Sequence, residues 1–155
     1  MSISLIPATR QNRTEVLQYV RAYHEFEGVR LSDEQRIAAI DELIGSDELG
    51  RIFLIERDKT TIGYIAVCFG FSIEFVGRDA FIDEMFIVSG YRGLGYGREV
   101  LKQVKQELQS ADIKALHLEV ARDNDQAQRL YRSVGFESRE KYYLMSALLA
   151  DSDAQ

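Results

Sequence analysis

Apolar and polar residues recur with two different periods along the chain, and each period predicts a type of secondary structure. Residues 2–6 form a short apolar run that ends at Pro7, which predicts a first strand. Residues 12–27 place their apolar side chains at helical spacing, which predicts a helix. The positions predicted to face inward on this helix are Val16, Val20, Tyr23 and Phe26.

A second helix has clear start and stop signals. Ser32 and Gln35 have the spacing of a capping box, and Gly45 stands where a helix would end. Its apolar stripe consists of Ile37, Ile40 and Ile44. Both helices are therefore predicted to precede the main sheet.

Three apolar runs with the length of strands follow. Residues 52–55 and 62–71 are separated by a polar stretch, which predicts an antiparallel hairpin. The third run, residues 81–88, is interrupted by Asp83 and Glu84. A strand that carries two adjacent carboxylates inside an apolar run is a candidate for a functional position.

The third run leads into residues 92–97, Arg-Gly-Leu-Gly-Tyr-Gly, which we call the glycine loop. Gly95 and Gly97 lack a Cβ, so the backbone can take positive φ and approach a ligand closely. The amphipathic helix that starts there offers unpaired N–H groups and the positive end of its dipole. The loop could be a tight connection only, but its position between a strand and a helix favours an anion site that would fit a pyrophosphate.

The last third of the chain continues the alternation of strands and helices. Residues 115–120 predict a strand with one apolar face, and Asp123 with Gln126 predicts a capping box for a short helix that ends at Gly135. Residues 136–148 predict the last strand. The predicted order is β-α-α-β-β-β-α-β-α-β, an α/β fold with a mixed sheet (α+β).

Length and charge limit the classes of protein that the chain can represent. With 155 residues it has the size of one domain, predicted over residues 1–150 with a flexible tail at 151–155. The net charge of −6 disfavours a protein that binds nucleic acid, which needs clustered Lys and Arg. An acidic surface would attract a cationic small molecule.

Cysteine and histidine are scarce. Cys68 is alone, so no internal disulfide forms, and its apolar surroundings predict a structural thiol and not a nucleophile. His24 and His117 are predicted to be structural or surface residues, and no metal site is expected. The amino terminus lacks a signal-peptide pattern and no apolar run is long enough to span a membrane, so a cytoplasmic protein without a membrane partner is expected.

Two motifs together resemble the GNAT superfamily of N-acetyltransferases. The first family motif, Gln or Arg, two residues, Gly, one residue, and Gly or Ala, is matched by Arg92, Gly95 and Gly97. The second, an Asn-led helix that carries a Tyr and ends in Gly-Phe, is matched by Asn124, Ala127, Leu130, Tyr131, Gly135 and Phe136. The resemblance extends over residues 4–145, and residues 82–86 are similar to polyamine-type acetyltransferases.

The resemblance implies acetyl-CoA as the acyl donor and, as the acceptor, a primary amine of a peptide or of a small molecule, cationic ones included. It implies that main-chain N–H groups surround the pyrophosphate, those of Gly93, Leu94, Gly95, Tyr96, Gly97 and Arg98, and that Arg92 adds a charged contact. The pantetheine arm would lie along the backbone of Phe86, Ile87 and Val88, where the strand separates from residues 115–120, and against Asn124 and Ala127. Asn124 has an alternative role as a helix cap. Family members are often dimers, so a homodimer is expected.

Acetyl transfer requires an unprotonated amine. At pH 7 an amine with a pKa of about 10.4 is only about 0.04% free base, so a carboxylate, directly or through water, would assist its deprotonation. Asp83 and Glu84 are the candidates, and alternation sends them to opposite faces unless a bulge re-aims them. Alignment from the glycine loop slightly favours Asp83. For each, the alternative is a structural carboxylate paired with a nearby Arg or Lys.

Tyr131 stands where the family often places a general acid near the departing sulfur. An ordinary phenol is a weaker acid than a thiol, so hydrogen-bond stabilisation of the thiolate is the expected role, with a packed aromatic as the alternative.

Two other functions compete with this interpretation. A dinucleotide-binding oxidoreductase shares glycine loops at helix starts, but Arg98 occupies the third glycine position of that pattern. A non-catalytic acyl-CoA sensor would keep the donor site without the chemistry.

Overall fold

The computed structural model describes residues 2–150, which form a five-stranded sheet and four helices. The strands lie side by side in chain order, and all pairs are antiparallel except β4–β5, which is parallel. The strands are β1 (Ile3–Pro7), β2 (Gly50–Arg57), β3 (Thr60–Ser72), β4 (Gly77–Ile87) and β5 (Ala115–His117). The helices are α1 (Arg13–Glu27), α2 (Asp33–Ile44), α3 (Tyr96–Ser110) and α4 (Asp125–Ser133). Short 3₁₀ turns cover Arg10–Asn12 and Ser89–Tyr91. The predicted mixed α+β fold is confirmed.

The predicted hairpin between β2 and β3 turns at two residues with left-handed backbone. Asp58 has φ of 49° and Lys59 has φ of 68°. Turns with positive φ at both central positions match the right-handed twist of paired strands. Such pairing of consecutive strands also separates this sheet from the all-parallel sheet of the oxidoreductase alternative.

Helices cover both faces of the sheet, and each face has its own core. Against α3 lie Ile65, Val67 and Ala80, together with Val100 and Val104 of the helix itself. Against α1 and α2 lie Ile52, Leu54 and Tyr64. We call these the α3 face and the α1 face.

On α1 the buried positions are Val16, Val20 and His24, spaced by four residues. Phe26, predicted to face inward, is 70% exposed, so that prediction is wrong. The stripe continues to His24 because positions i, i+4 and i+8 share one side of a helix.

The capping predictions have different outcomes. At α2 the Ser32 hydroxyl accepts a hydrogen bond from the Gln35 N–H at 3.1 Å, and Gln35 Oε1 accepts from the Ser32 N–H at 2.9 Å, so the capping box is confirmed. At α4 the N-cap is Asn124, not Asp123, and Asn124 Oδ1 accepts from the Ala127 N–H at 3.1 Å. The correction arises because both residue types can cap and the helix begins at Asp125.

The carboxyl-terminal part of the described chain differs from the prediction. Residues 136–148 form no strand, and β5 ends at His117 and not at residue 120. A strand needs a partner edge for its N–H and C=O groups, and residues 143–150 make no backbone hydrogen bond within the described chain. Residues 151–155, predicted to be a flexible tail, lie outside the described residues. No helix within residues 2–150 has the length and apolarity needed to cross a bilayer.

Candidate active site

A β-bulge in β4 brings the two predicted carboxylates to the same face of the sheet. Ala66 of β3 pairs with Glu84 and Val67 pairs with Ile82, so Asp83 is an extra residue in β4. Ile82 packs in the core of the α3 face before the bulge, and Met85 packs there after it. Asp83 and Glu84 therefore both point to the α1 face, which strict alternation would have forbidden.

Glu84 is held by two side chains from different elements. Its Oε2 lies 2.6 Å from His24 Nε2, and its Oε1 accepts a hydrogen bond from the Tyr64 hydroxyl at 2.7 Å. Arg36 Nε–H donates to His24 Nδ1 at 3.1 Å. Because arginine can only donate, Nδ1 is the acceptor and Nε2 carries the proton that His24 donates to Glu84. Burial, followed by the charge of Glu84, raises the pKa of Tyr64, which keeps this hydroxyl a donor.

Asp83 lies beside Glu84, and within residues 2–150 no side chain forms a hydrogen bond or salt bridge with its carboxyl. Burial of its carboxyl, followed by the negative charge of Glu84, raises its pKa above the ordinary range. The residue as a whole is nevertheless exposed. It is therefore a desolvated carboxyl at the open side of the site, with a raised affinity for a proton.

Two further side chains, Tyr23 and Cys68, lie close enough to the carboxylates for their pKa values to be affected. Burial, followed by the charge of Glu27, raises the pKa of Tyr23 to about 12. Burial and the charges of Asp83 and Glu84 raise the pKa of the half-buried Cys68 thiol. Cys68 therefore remains protonated at neutral pH, which makes it a poor nucleophile.

The glycine loop has the conformation that an anion site requires. Gly93 and Gly95 have φ of 73° and 86°, and Gly95 is the N-cap of α3. The first N–H groups of α3 have no acceptor inside the helix and point out of its amino end. A Cβ on Gly93 would meet no atom within 4 Å, so the backbone there is open to a ligand. These features fit a diphosphate bound by main-chain amides.

Gly97 also has a role in the packing of two helices. A Cβ at this position would approach Leu130 Cδ2 to 3.3 Å, so Gly97 allows α4 to pack closely on α3. Tyr96 is buried with 5% exposure, and it can reach a ligand only through its backbone. Leu94 and Arg98 are exposed in the loop and the first turn of α3.

Arg92 is engaged with the end of β4. Its Nε–H donates to the Ile87 carbonyl at 2.6 Å, and its guanidinium lies 5.0 Å above the ring of Phe86 and 5.5 Å from that of Phe26. This contact accounts for the exposed Phe26, whose ring stacks with the guanidinium outside the core. In this conformation Arg92 interacts with β4 and α1.

Strands β4 and β5 separate just before the carboxylates. Their parallel pairing covers only Asp79–Phe81 with Ala115–His117, while β4 continues to Ile87. Beyond Phe81, no described strand pairs with this edge of β4. The gap lies where the resemblance implies a pantetheine arm along Phe86, Ile87 and Val88.

Helix α4 carries Tyr131, which lies close enough to Tyr23 of α1 to affect the pKa of Tyr23. Tyr131 is half-buried, and its ring meets Phe136 edge to face at a centroid distance of 5.9 Å. Burial, followed by the charge of Glu27, raises the pKa of Tyr131. Asn124 caps the helix, as its alternative role predicted, and Ala127 is the residue whose N–H it binds.

The site therefore combines residues from α1, β3, β4 and α4. Sequence reasoning found Asp83, Glu84 and Tyr131 but assigned His24 a structural or surface role and did not consider Tyr64 or Arg36. The spacing of Val16, Val20 and His24 could have indicated a buried histidine, since a buried polar side chain needs a partner. No local pattern indicated that the partner is Glu84.

Both the sequence and the fold resemble those of known proteins. The sequence matches the model of the Acetyltransferase (GNAT) family over residues 15–136. N-alpha-acetyltransferase RimI of Mycobacterium tuberculosis is 44% identical over 59 residues, which cover 36% of this chain and 35% of that protein. Matches to the first curated relatives cover only 15% to 40% of their own length.

Solved structures resemble nearly the full length of the chain. An integron cassette protein, HFX_CASS3, from the mobile metagenome of Cole Harbour Salt Marsh is 28% identical, with a TM-score of 0.83 over 95% of this chain and 91% of its own. A protein of Clostridium acetobutylicum described as a predicted acetyltransferase and solved with acetyl-CoA shares the fold, with 15% identity and a TM-score of 0.75 over 94% of this chain and 96% of its own. The family match covers most of the chain, and the fold agrees with it along nearly its full length. The chain therefore belongs to the Acetyltransferase (GNAT) family.

Proposed function

We propose that the protein is an N-acetyltransferase that moves an acetyl group from acetyl-CoA to a primary amine. The observation that carries this proposal is the bulge that turns Asp83 and Glu84 to one face of β4. They lie beside the gap between β4 and β5 and close in sequence to the glycine loop. The candidate base, the gap that would hold an extended ligand and the anion site at the glycine loop are then neighbours.

The donor is proposed to bind along this cleft. The N–H groups of residues 93–98 hold the diphosphate, because they surround the amino end of α3. The pantetheine arm lies along residues 86–88, with Asn124 and Ala127 on the facing helix. Arg92 would reach the diphosphate only after it leaves the Ile87 carbonyl. That the Clostridium acetobutylicum protein solved with acetyl-CoA shares this fold supports the donor assignment.

Asp83 is proposed to receive the proton of the acceptor amine. The amine nitrogen attacks the thioester carbonyl carbon, so that a C–N bond forms, the C–S bond breaks and the electron pair leaves on sulfur. Asp83 suits the base because its raised pKa strengthens its hold on a proton, whereas both oxygens of Glu84 already accept hydrogen bonds. Tyr131 donates a hydrogen bond to the departing sulfur, since its raised pKa keeps it protonated.

A cationic amine is the proposed acceptor class. Glu119 is close enough to Asp83 to raise its pKa, and Glu27 does the same to Tyr131. The negative charges of these residues and Glu84 surround the reacting position and would attract an ammonium group. A small polyamine-like molecule and the amino group of a peptide both satisfy this requirement.

Thiol release from acetyl-CoA, measured against a panel of amines and peptides, tests the proposal. We expect acceleration by one class of cationic amine and its loss in Asp83→Asn. Calorimetric titration of acetyl-CoA into the wild-type protein and into Asp83→Asn separates donor binding from chemistry. Donor binding without modification of any amine or peptide would instead support the acyl-CoA sensor, which no comparison favours.

We also propose that residues 1–150 form one domain and that the protein is a homodimer. One sheet with helices on both faces supports the single domain. Exposed apolar side chains near the carboxyl terminus support self-association.

A further inference from the structure

Arg36 of α2 makes polar contacts on two sides of its guanidinium group. Its Nε–H donates to His24 Nδ1 at 3.1 Å, and its Nη1 donates to Asp33 Oδ1 at 2.9 Å. Asp33 is itself bound by Arg21 of α1, whose Nη2 donates to Asp33 Oδ2 at 2.7 Å. The Arg36 side chain is 11% exposed. A planar guanidinium with partners on two sides is fixed in its orientation towards the imidazole ring.

His24 connects Arg36 to the two carboxylates of β4. Its Nε2–H donates to Glu84 Oε2 at 2.6 Å, and the Tyr64 hydroxyl donates to the other oxygen of Glu84 at 2.7 Å. Asp83 lies next to Glu84 on the same face of the sheet. A line of hydrogen bonds therefore runs from α2 through α1 and ends at Glu84, beside the proposed base.

The contact with Arg36 excludes one protonation state of His24. A neutral imidazole has one N–H and one acceptor nitrogen, whereas an imidazolium ion has two N–H groups and no acceptor. Because arginine can only donate, a proton on Nδ1 would set two N–H groups against each other and bring two positive charges into contact. His24 is 5% exposed, so water screens this repulsion weakly.

The other ionisable side chains around His24 would favour a second proton on the ring. Glu84 is in hydrogen-bond contact with it, and Asp83 is close enough for a charge on His24 to lower the pKa of that carboxyl. An imidazole beside two carboxylates gains stability from a positive charge. The remaining neighbours are two phenols that burial keeps protonated by raising their pKa: Tyr23 and Tyr64.

A positive charge on His24 would change the proposed base. Burial of Asp83, followed by the charges of Glu84 and Glu119, raises the pKa of this carboxyl, whereas a charged His24 would lower it. Within residues 2–150, these three side chains are the charges that act on Asp83, so Arg36 reaches it only through His24. A neutral His24 thus preserves the raised proton affinity of the carboxyl. Two further side chains that sense the charge of Asp83 are themselves neutral: Tyr23 and Cys68.

We propose that Arg36 is a positioning residue that holds His24 neutral, so that no positive charge stands beside Asp83 and Glu84 when the acceptor amine loses its proton. An imidazolium here would offset the charge of Glu84 and would repel a cationic acceptor. The role in the reaction rests on the proposed acetyl transfer. The charge of the ring, in contrast, can be measured without any substrate.

NMR of the ring nitrogens on the full chain tests the state of His24. The chain has two histidines, so the spectrum of His117→Asn assigns the signals of His24. The wild-type ring should stay neutral, with its proton on Nε2, from about pH 8 to about pH 5. Arg36→Met removes the donor from a side chain of similar length, and its ring should take up a second proton in this range. Arg36→Lys restores a group that only donates and should return the ring to the neutral state.

The carboxyl of Asp83 provides the second measurement. Its carbon resonance, assigned with Asp83→Asn, should titrate at lower pH in Arg36→Met than in the wild type and at the wild-type pH in Arg36→Lys. The acid limb of kcat/KM should shift in the same direction. Arg13→Met is the matched control, because it removes the Arg13–Asp41 salt bridge between the same two helices and should leave the titration of Asp83 unchanged.

Two results would overturn the proposal. A doubly protonated His24 in the wild type at about pH 7 would show that Arg36 does not hold the ring neutral, and this measurement requires no variant to fold. A neutral ring and an unshifted Asp83 titration in Arg36→Met, with a native circular dichroism spectrum, would reduce Arg36 to a structural contact. Absence of any acetylated amine would instead refute the proposed acetyl transfer, while the two NMR measurements would still decide the charge of His24.

Discussion

His24 Nε2 lies 2.6 Å from Glu84 Oε2, although the two residues are 60 positions apart in the chain. His24 is 5% exposed, and Arg36 donates to its other ring nitrogen. The ring therefore has one tautomer and presents its N–H to the carboxylate. This contact joins α1 to β4 at the candidate active site and fixes the orientation of Glu84 beside Asp83.

We expect His24→Ala to weaken both the fold and the activity, because it removes the hydrogen-bond partner of Glu84 Oε2 and of the Arg36 Nε–H. The free energy of unfolding should fall by about 1–3 kcal/mol in urea titration. His24→Gln should recover part of the kcat, since an amide can accept from Arg36 and donate to Glu84. Asp41→Asn, which removes the Arg13–Asp41 salt bridge between α1 and α2, is the control and should leave kcat unchanged. If His24→Ala and Asp41→Asn lowered kcat equally, His24 would act on the fold alone.

Asp83→Asn should lower kcat by about 100-fold or more, because loss of a general base removes a contribution of this size. The raised pKa of Asp83 also sets the pH dependence. Protonation inactivates the base, so kcat/KM falls as the pH falls through the pKa in the folded protein. This acid limb should lie above the ordinary aspartate value of about 3.9 and be absent from Asp83→Asn. An acid limb that persists in Asp83→Asn but disappears in Glu84→Gln would reverse the assignment.

The same substitution should stabilise the fold at neutral pH. A carboxyl whose pKa is raised on folding binds more protons in the folded state than in the unfolded state. Its contribution to stability is therefore lost as the pH rises from the unfolded pKa through the folded pKa. Asp83→Asn removes this charge, so its Tm should exceed that of the wild type at pH 7, and the difference should shrink towards pH 4. A lower Tm at pH 7 would show that the charge of Asp83 is satisfied in the fold.

Gly95→Ala should weaken acetyl-CoA binding while the protein remains folded. A Cβ at φ of 86° costs about 1–2 kcal/mol in backbone strain, and its relief would move the N–H groups at the start of α3. We expect the dissociation constant in calorimetric titration to rise by about ten-fold. Gly90→Ala is the matched control, because a Cβ at Gly90 would meet no atom within 4 Å and the φ of Gly90 is not positive. Similar affinities for the two variants would argue against a diphosphate at the glycine loop.

Tyr131→Phe should lower kcat by about ten-fold or more and leave acetyl-CoA affinity nearly unchanged. The hydroxyl is proposed to contact only the departing sulfur, so its loss affects the chemical step, by about 1.4 kcal/mol for each ten-fold. Tyr19→Phe removes a hydroxyl that donates to the Thr61 carbonyl at 3.1 Å and should have full activity. Wild-type turnover by the Tyr131 variant would exclude the tyrosine from the mechanism.

Much of the fold could be predicted from local pattern, because the signals are short-range. Ser32 and Gln35 marked the start of α2 through their own side chains, and the polar stretch before Thr60 marked a hairpin. Gly95 marked the start of α3 because few other residues adopt its backbone conformation. Phe26 could not be assigned correctly in this way, since its place outside the core depends on the distant Arg92.

The sequence by itself determined the order of nearly all elements, the glycine loop and the choice of Asp83, Glu84 and Tyr131 as candidates, because periodicity, caps and motifs depend on neighbouring residues. Only the tertiary structure decided how these groups meet. The register between β3 and β4 inserts Asp83 as a bulge, which turns it to the same face as Glu84. The packing of α1 against the sheet brings His24 to Glu84, and the path after α4 leaves residues 143–149 without a backbone–backbone hydrogen bond to any described residue. Register and packing depend on contacts between residues far apart in the chain, which no local pattern contains.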